Sequence, residues 1–300
     1  MKAKEKTVHE IYEEENRLDE LIEVARRKCR KNKPINRYTA YNYYLVARLL
    51  EDLREFRGKT VDTSKTYIFP GALWIAKRIL YSKENPGKAV DWAMIKIMQV
   101  RHLATSLFRS LVKNYNLEFI IPSNVDIREV RVYLWADRVG LTEDLEPLYV
   151  LTMYVSFPFD ISRVDLKSEY EPVSFLFKKV GRKFVLLKAF SRVHYTLYAY
   201  DTENLDRISV YFLRYGHTPK IVGAKCNVVS DGSLMKEFLD RLWLKLGDYL
   251  TRLLGIKVVK LSEQKKKLHV YVSYKLPKSL NNPFETNVHP YFIDIKYKVP

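Results

Sequence analysis

Between Glu23 and Glu51 the chain carries no acid, eight bases (Arg26, Arg27, Lys28, Arg30, Lys31, Lys33, Arg37, Arg48) and four tyrosines (Tyr38, Tyr41, Tyr43, Tyr44). Positive charge interleaved with flat rings is the chemistry that holds a polyanion with stacked bases, since cations neutralise phosphates and tyrosine faces stack on bases. On a helix, Arg26, Arg30 and Lys33 fall at i, i+4 and i+7 and form one stripe, with Arg27 and Lys31 at its sides. That stripe runs beside the apolar line through Ala25 and Cys29, which predicts it to be exposed. Lys28, Arg37 and Tyr38 complete the candidate set. A purely structural reading competes. The same helix begins with Glu13, Glu14, Glu15, Asp19 and Glu20 and ends in bases, the polarity that complements a helix dipole, and Tyr41, Tyr44 and Leu45 can face a bundle core. The surplus of bases beyond what a dipole uses favours phosphate contact.

Lys265, Lys266 and Lys267 fall at a predicted hairpin turn and form a second candidate phosphate contact, or else a solvated turn that discourages edge pairing. Further on, Pro283-Phe284-Glu285 precedes Asp294-Ile295-Lys296 on an apolar strand. Two acids in this arrangement hold a divalent cation and a neighbouring lysine orients water. The segment resembles the PD-(D/E)xK nuclease pattern, which implies Glu285, Asp294 and Lys296 as a catalytic set with Mg²⁺ as cofactor. It departs from that pattern in having Glu in place of the first Asp and only four residues after Lys296. A strand that alternates Asp294, Lys296 and Lys298 outward explains the same letters, and Asp165-Leu166-Lys167 is a second D-x-K. Outside that reading no cofactor is expected.

Other chemistry lacks its usual signatures. Neither G-x-x-x-x-G-K-[ST] nor G-x-G-x-x-G occurs, so the common phosphate cradles are missing. The six histidines are scattered without H-x-H or H-E-x-x-H spacing. Cys29 and Cys226 cannot make a disulfide framework, which fits a reducing cytosol.

The formal net charge is +17, with 24 bases and 14 acids in residues 1–115 and 28 bases and 21 acids after them. Such an excess predicts attraction to nucleic acid or another anionic surface. Scarce glutamine and cysteine beside abundant Lys, Arg, Glu and Tyr also suit a protein from a hot environment. The N-terminus lacks the apolar core of a secretory signal, and the longest apolar stretch, Leu148–Phe159, is too short to span a membrane. A cytoplasmic protein without membrane insertion is expected.

The elements that must position these residues change character near residue 115. Thr7 and Glu10 form a capping box ahead of a helix with Leu18, Leu21, Ile22 and Ala25 on its apolar line, ending near Pro34. A second helix is predicted over 38–56, a polar linker over 57–65, a short helix over 70–81, and a long one opened by Asn85-Pro86-Gly87 and running to Tyr115. From 117 the period becomes two, with strands predicted at 117–121, 128–135, 147–157, 173–179, 182–189, 193–200, 206–214, 219–228, 256–261, 267–275 and 291–298. One helix over 233–255 interrupts them, with Ser233 at its cap, Gly255 at its end, and Leu234, Phe238, Leu242, Leu246, Tyr249 and Leu253 as the face predicted to be buried. The expected fold is α+β, with a helical basic domain over 1–115 and a largely antiparallel β-rich domain over 116–300. The expected function is non-catalytic binding of DNA or RNA, alone or as a subunit docked to another protein. The alternatives are the metal-dependent nuclease and a virion or assembly protein that packs nucleic acid.

Overall fold

The computed structural model describes residues 8–56, 70–157, 169–193, 196–213, 218–228, 234–263 and 269–272. Thr7, the 57–65 linker, Ser233, Lys265–Lys267, the 291–298 strand and the Glu285, Asp294, Lys296 set lie outside them. The fold is α+β, with helices first and a β-rich region after them. By compactness the chain divides into residues 1–102 and 103–300, and the division falls inside one helix.

The first unit holds α1 (Val8–Asn32), α2 (Arg37–Phe56), α3 (Pro70–Leu80) and the first part of α4 (Pro86–Asn114). Leu18, Leu21 and Ala25 of α1 are buried, as are Val46, Leu49 and Leu50 of α2, Ile75 and Ile79 of α3, and Val90 and Ala93 of α4. For α1 this is the apolar line read from its sequence. The helix starts are capped by side chains. Asn36 Oδ1 accepts the Thr39 amide at 3.1 Å ahead of α2, and Asn85 Oδ1 accepts the Gly87 amide at 2.8 Å with Pro86 in the first turn of α4. Polar stitches lie outside the apolar contacts: Arg54 pairs with Asp19, and Arg17 donates to the Glu84 carbonyl at 2.6 Å.

The second unit contains two sheets. The smaller has strand order β10 (Ile256–Lys260), β1 (Glu118–Pro122), β7 (Ser209–Phe212), β8 (Pro219–Val222), with β1 and β7 parallel and the other pairs antiparallel. The larger has order β11 (His269–Val272), β2 (Arg131–Leu141), β3 (Pro147–Phe157), β4 (Glu169–Val180), β5 (Lys183–Val193), β6 (Thr196–Asp201), β9 (Lys225–Val228). Its run from β2 to β9 is antiparallel, and β11 joins β2 in parallel. One core joins the sheets to the end of α4: Leu107 and Leu111 pack with Phe119 and Phe212 of the small sheet and Phe157 and Phe175 of the large one. Phe119 and Phe157 both meet Phe212 edge-on, at 5.3 and 5.0 Å.

Two expectations are corrected here. The single strand over 219–228 is two strands in different sheets. Gly223, at φ 81°, turns the chain between them, a conformation that only glycine adopts without strain. The second correction concerns α5 (Leu234–Leu253). Phe238, Leu242, Leu246, Tyr249 and Leu253 are exposed rather than buried. Asp240, Gly247 and Thr251 are buried instead, and Trp243 and Leu244 pack against the core. Gly247 lets the helix approach closely, because a Cβ there would come within 2.9 Å of Leu213 Cδ1. Gly255 ends the helix at φ 93°, as its sequence position suggested.

Candidate nucleic-acid interface

The acid-free window forms the end of α1, a short turn and the start of α2. Arg26, Arg27, Arg30 and Lys31 are exposed on the last turns of α1, Lys33 in the turn, and Arg37 at the first residue of α2. Pro34 follows the end of α1, and the Asn36 cap starts α2 two residues later, so Lys31, Lys33 and Arg37 flank one bend, with Arg27 one turn back along α1. No acid stands in the first turn of α2, which leaves the positive end of that helix dipole unopposed there.

The two acids that bound the window fold back onto it. Glu51 takes Arg26 at 2.8 Å and Arg48 at 2.5 Å, while Glu23 takes Arg30 at 2.8 Å. These pairs are solvent-exposed on at least one side and hold their partners weakly. Lys28 is committed differently. Its Nζ lies 2.6 Å from Asp91 Oδ1 and 3.1 Å from the Gly87 carbonyl, half-buried against α4. Tyr43 donates its hydroxyl to the same carboxylate oxygen at 2.7 Å. Burial first, and then this bond to Asp91, raises the Tyr43 hydroxyl well above the usual tyrosine range. Lys28 and Tyr43 thus belong to the bundle. Among the described residues, Arg27, Lys31, Lys33 and Arg37 take part in no ion pair.

The tyrosines divide by exposure. Tyr43 is buried, as are Leu45 and Val46, whereas Tyr38, Tyr41 and Tyr44 stand about half exposed along α2. Tyr41 and Tyr44 stack on each other with centroids 6.1 Å apart. Arg101 of α4 lies over Tyr38 and Tyr41, its guanidinium carbon 5.2 and 4.9 Å from their centroids. It is held there by the fully buried Asn42, whose Oδ1 accepts from Arg101 at 2.7 Å and whose amide donates to the Tyr38 carbonyl at 3.0 Å. The surface therefore carries preoriented aromatic faces beside cations.

A second cationic–aromatic group lies on α3 and α4. Trp74 is exposed and meets Trp92 edge-on at 5.9 Å, and Arg78 and Lys96 lie 5.1 and 5.9 Å from the Trp92 ring. Sequence reasoning passed over this group and over Arg101. Trp92 and Lys96 stand at i, i+4 on one helix and were legible as a pair. Arg101 gave no local signal, because its ring partners are on another helix. Cys29 is half-buried and Cys226 exposed, both as free thiols. Among the described residues, no three His, Cys, Asp or Glu side chains gather into a metal-holding group, and no helix is long and apolar enough to cross a membrane.

Comparison with known proteins finds no match among family models, curated proteins or solved structures.

Proposed function

We propose that this chain is a non-catalytic nucleic-acid-binding protein, or the nucleic-acid-binding subunit of a larger complex, acting in the cytoplasm. One observation carries the reading: half-exposed Tyr38, Tyr41 and Tyr44 stand on the helix that begins at the base-rich bend flanked by Lys31, Lys33 and Arg37, with Arg27 one turn back. Cations at the bend contact phosphates, and the tyrosine faces one and two turns along α2 receive bases. Arg26 and Arg30 join when a phosphate competes with their carboxylate partners, since such surface pairs are weak. Lys265–Lys267 form an auxiliary contact in this reading. The exposed rings make single strands the favoured ligand, because a duplex hides its base faces.

The test is fluorescence anisotropy with single- and double-stranded DNA and RNA of equal length, using wild type and a Tyr38→Ala/Tyr41→Ala/Tyr44→Ala variant. Stacking is worth ~1–3 kcal/mol per base, so the variant is expected to lose roughly tenfold or more on single strands with little change in salt dependence. Equal affinity of variant and wild type for every ligand would remove the stacking role.

A further inference from the structure

We infer that Trp74, Trp92, Arg78 and Lys96 form a second contact for single-stranded nucleic acid, in which a base stacks on Trp74 and a neighbouring phosphate meets Arg78 and Lys96. The inference rests on the proposed function for its class of ligand, and it concerns a different site from the α1–α2 bend. Trp92 and Arg101 stand about two and a half turns apart on α4, so they leave the helix on opposite sides. The group around Trp92 is therefore no continuation of the tyrosine surface that Arg101 joins.

Each side chain of the group has a defined place. On α3, Trp74 and Arg78 lie at i and i+4; on α4, Lys88, Trp92 and Lys96 repeat the same step. Trp92 is half-buried and serves as the anchor. Trp74 meets it edge-on at 5.9 Å, and Arg78 and Lys96 stand 5.1 and 5.9 Å from its ring. Cation–π attraction thus holds two positive charges beside a fixed indole. Trp74 itself remains 58% exposed. A tryptophan that only stitched two helices together would bury its ring, and α3 already packs through Ala72, Ile75, Ala76 and Ile79, all buried.

The charge around these rings is unopposed. Residues 70–114 hold eight bases and two acids. Of the acids, Asp91 is taken by Lys28 and Tyr43, and Glu84 lies in the turn between α3 and α4. Among the described residues, Lys77, Arg78, Lys88 and Lys96 take part in no ion pair. Unpaired cations beside an exposed, oriented indole match a phosphorylated base, with the indole face for the base and the cations for the phosphate. Lys77 and Lys88, both exposed, extend the cationic surface along each helix, which favours a strand of repeated phosphates over a single nucleotide.

The experiment follows Trp74 fluorescence in the full chain, taken as the difference between wild type and Trp74→Phe, during titration with a short oligothymidylate. Base stacking should quench this signal, and the quenching should persist in Tyr38→Ala/Tyr41→Ala/Tyr44→Ala. Arg78→Gln/Lys96→Gln should weaken the titration and flatten its log–log salt slope by roughly 1.4. Added to the tyrosine variant, Trp74→Ala should lower affinity roughly 5- to 150-fold, the worth of one stacked base, with folding confirmed by circular dichroism. Oligonucleotide binding seen by anisotropy while Trp74 stays silent would overturn the second site and leave the bend standing. Absence of binding to any strand would overturn both readings. Quenching by thymidine monophosphate as strong as by the oligonucleotide would make this a free-nucleotide site, and a response to anionic phospholipid vesicles alone would make it a membrane contact; either rejects the proposal. So would a Trp74 that acrylamide cannot reach in the free chain, since another part of the chain would then cover it.

Discussion

The contact between Lys28, Tyr43 and Asp91 separates the bases that hold the bundle together from those free to hold phosphate. Asp91→Ala removes one carboxylate oxygen that accepts from Lys28 at 2.6 Å and from Tyr43 at 2.7 Å. The Tyr43 ring is buried and its hydroxyl loses a charge-assisted bond, worth ~1.5–3 kcal/mol. Lys28 and Asp91 are partly exposed, so screening limits their pair to ~1 kcal/mol at most. Together the change costs roughly 2–3 kcal/mol. For a cooperative unit of about 100 residues each kcal/mol is worth ~4–8 °C, so a fall in Tm of roughly 10 °C or more is expected in the helical signal at 222 nm. Tyr43→Phe combined with Asp91→Ala should cost less than the sum of the two alone, because the orphaned hydroxyl is gone. Lys28→Gln should lower Tm modestly and leave the salt dependence of nucleic-acid binding unchanged. The reasoning fails if Asp91→Ala melts within ~2 °C of wild type, or if Lys28→Gln flattens the salt dependence as much as Lys31→Gln does.

Other outcomes follow from the same structure. Gly247→Val drives a side chain against Leu213 and should destabilise the β-rich unit by ~1–3 kcal/mol in urea unfolding, whereas Leu246→Gln, one residue away but exposed, should stay within ~0.5 kcal/mol. Burial pushes the Tyr211 hydroxyl, like that of Tyr198, up to about 12. Both stay protonated in the folded state where an unfolded tyrosine ionises near ~10. Their contribution is complete below pH ~10 and is lost as pH rises from there toward 12. Urea midpoints should therefore drop across that window, less steeply in Tyr211→Phe, with late ionisation visible at 295 nm. Nucleic acid incubated with the protein and Mg²⁺ or Mn²⁺ should stay intact on gels. Cleavage abolished by Asp294→Ala would instead support the nuclease resemblance.

The fold was legible where period and capping agreed. Asn85-Pro86-Gly87 marked the start of α4, and the two-residue alternation of 147–157 marked β3 with its observed ends. The window from 219 to 228 misled because one strand-like composition runs through Gly223, and only the backbone shows that this glycine turns the chain into another sheet. In α5 the amphipathic pattern was visible but its direction was not. Sequence reasoning assigns leucine inward by default, and the inward line here is Asp240, Gly247 and Thr251. For the candidate site, helical spacing correctly exposed Arg26, Arg27 and Arg30. It could not foresee that Glu23 and Glu51 fold back on the stripe, or that Lys28 reaches Asp91, since those contacts join residues on different turns or helices. The tyrosines reversed their expected balance. Tyr41 and Tyr44 are exposed rather than in the core, which strengthens the aromatic half of the surface.

The salt dependence of binding tests the central claim most directly. Affinity for a single-stranded oligonucleotide is measured from 50 to 300 mM salt for wild type and for an Arg27→Gln/Lys31→Gln/Lys33→Gln/Arg37→Gln variant. Each phosphate contact contributes ~0.7 to the log–log slope on single strands, so removing four should flatten it by roughly 3. An unchanged slope and affinity in the variant would contradict a phosphate grip at the α1–α2 bend.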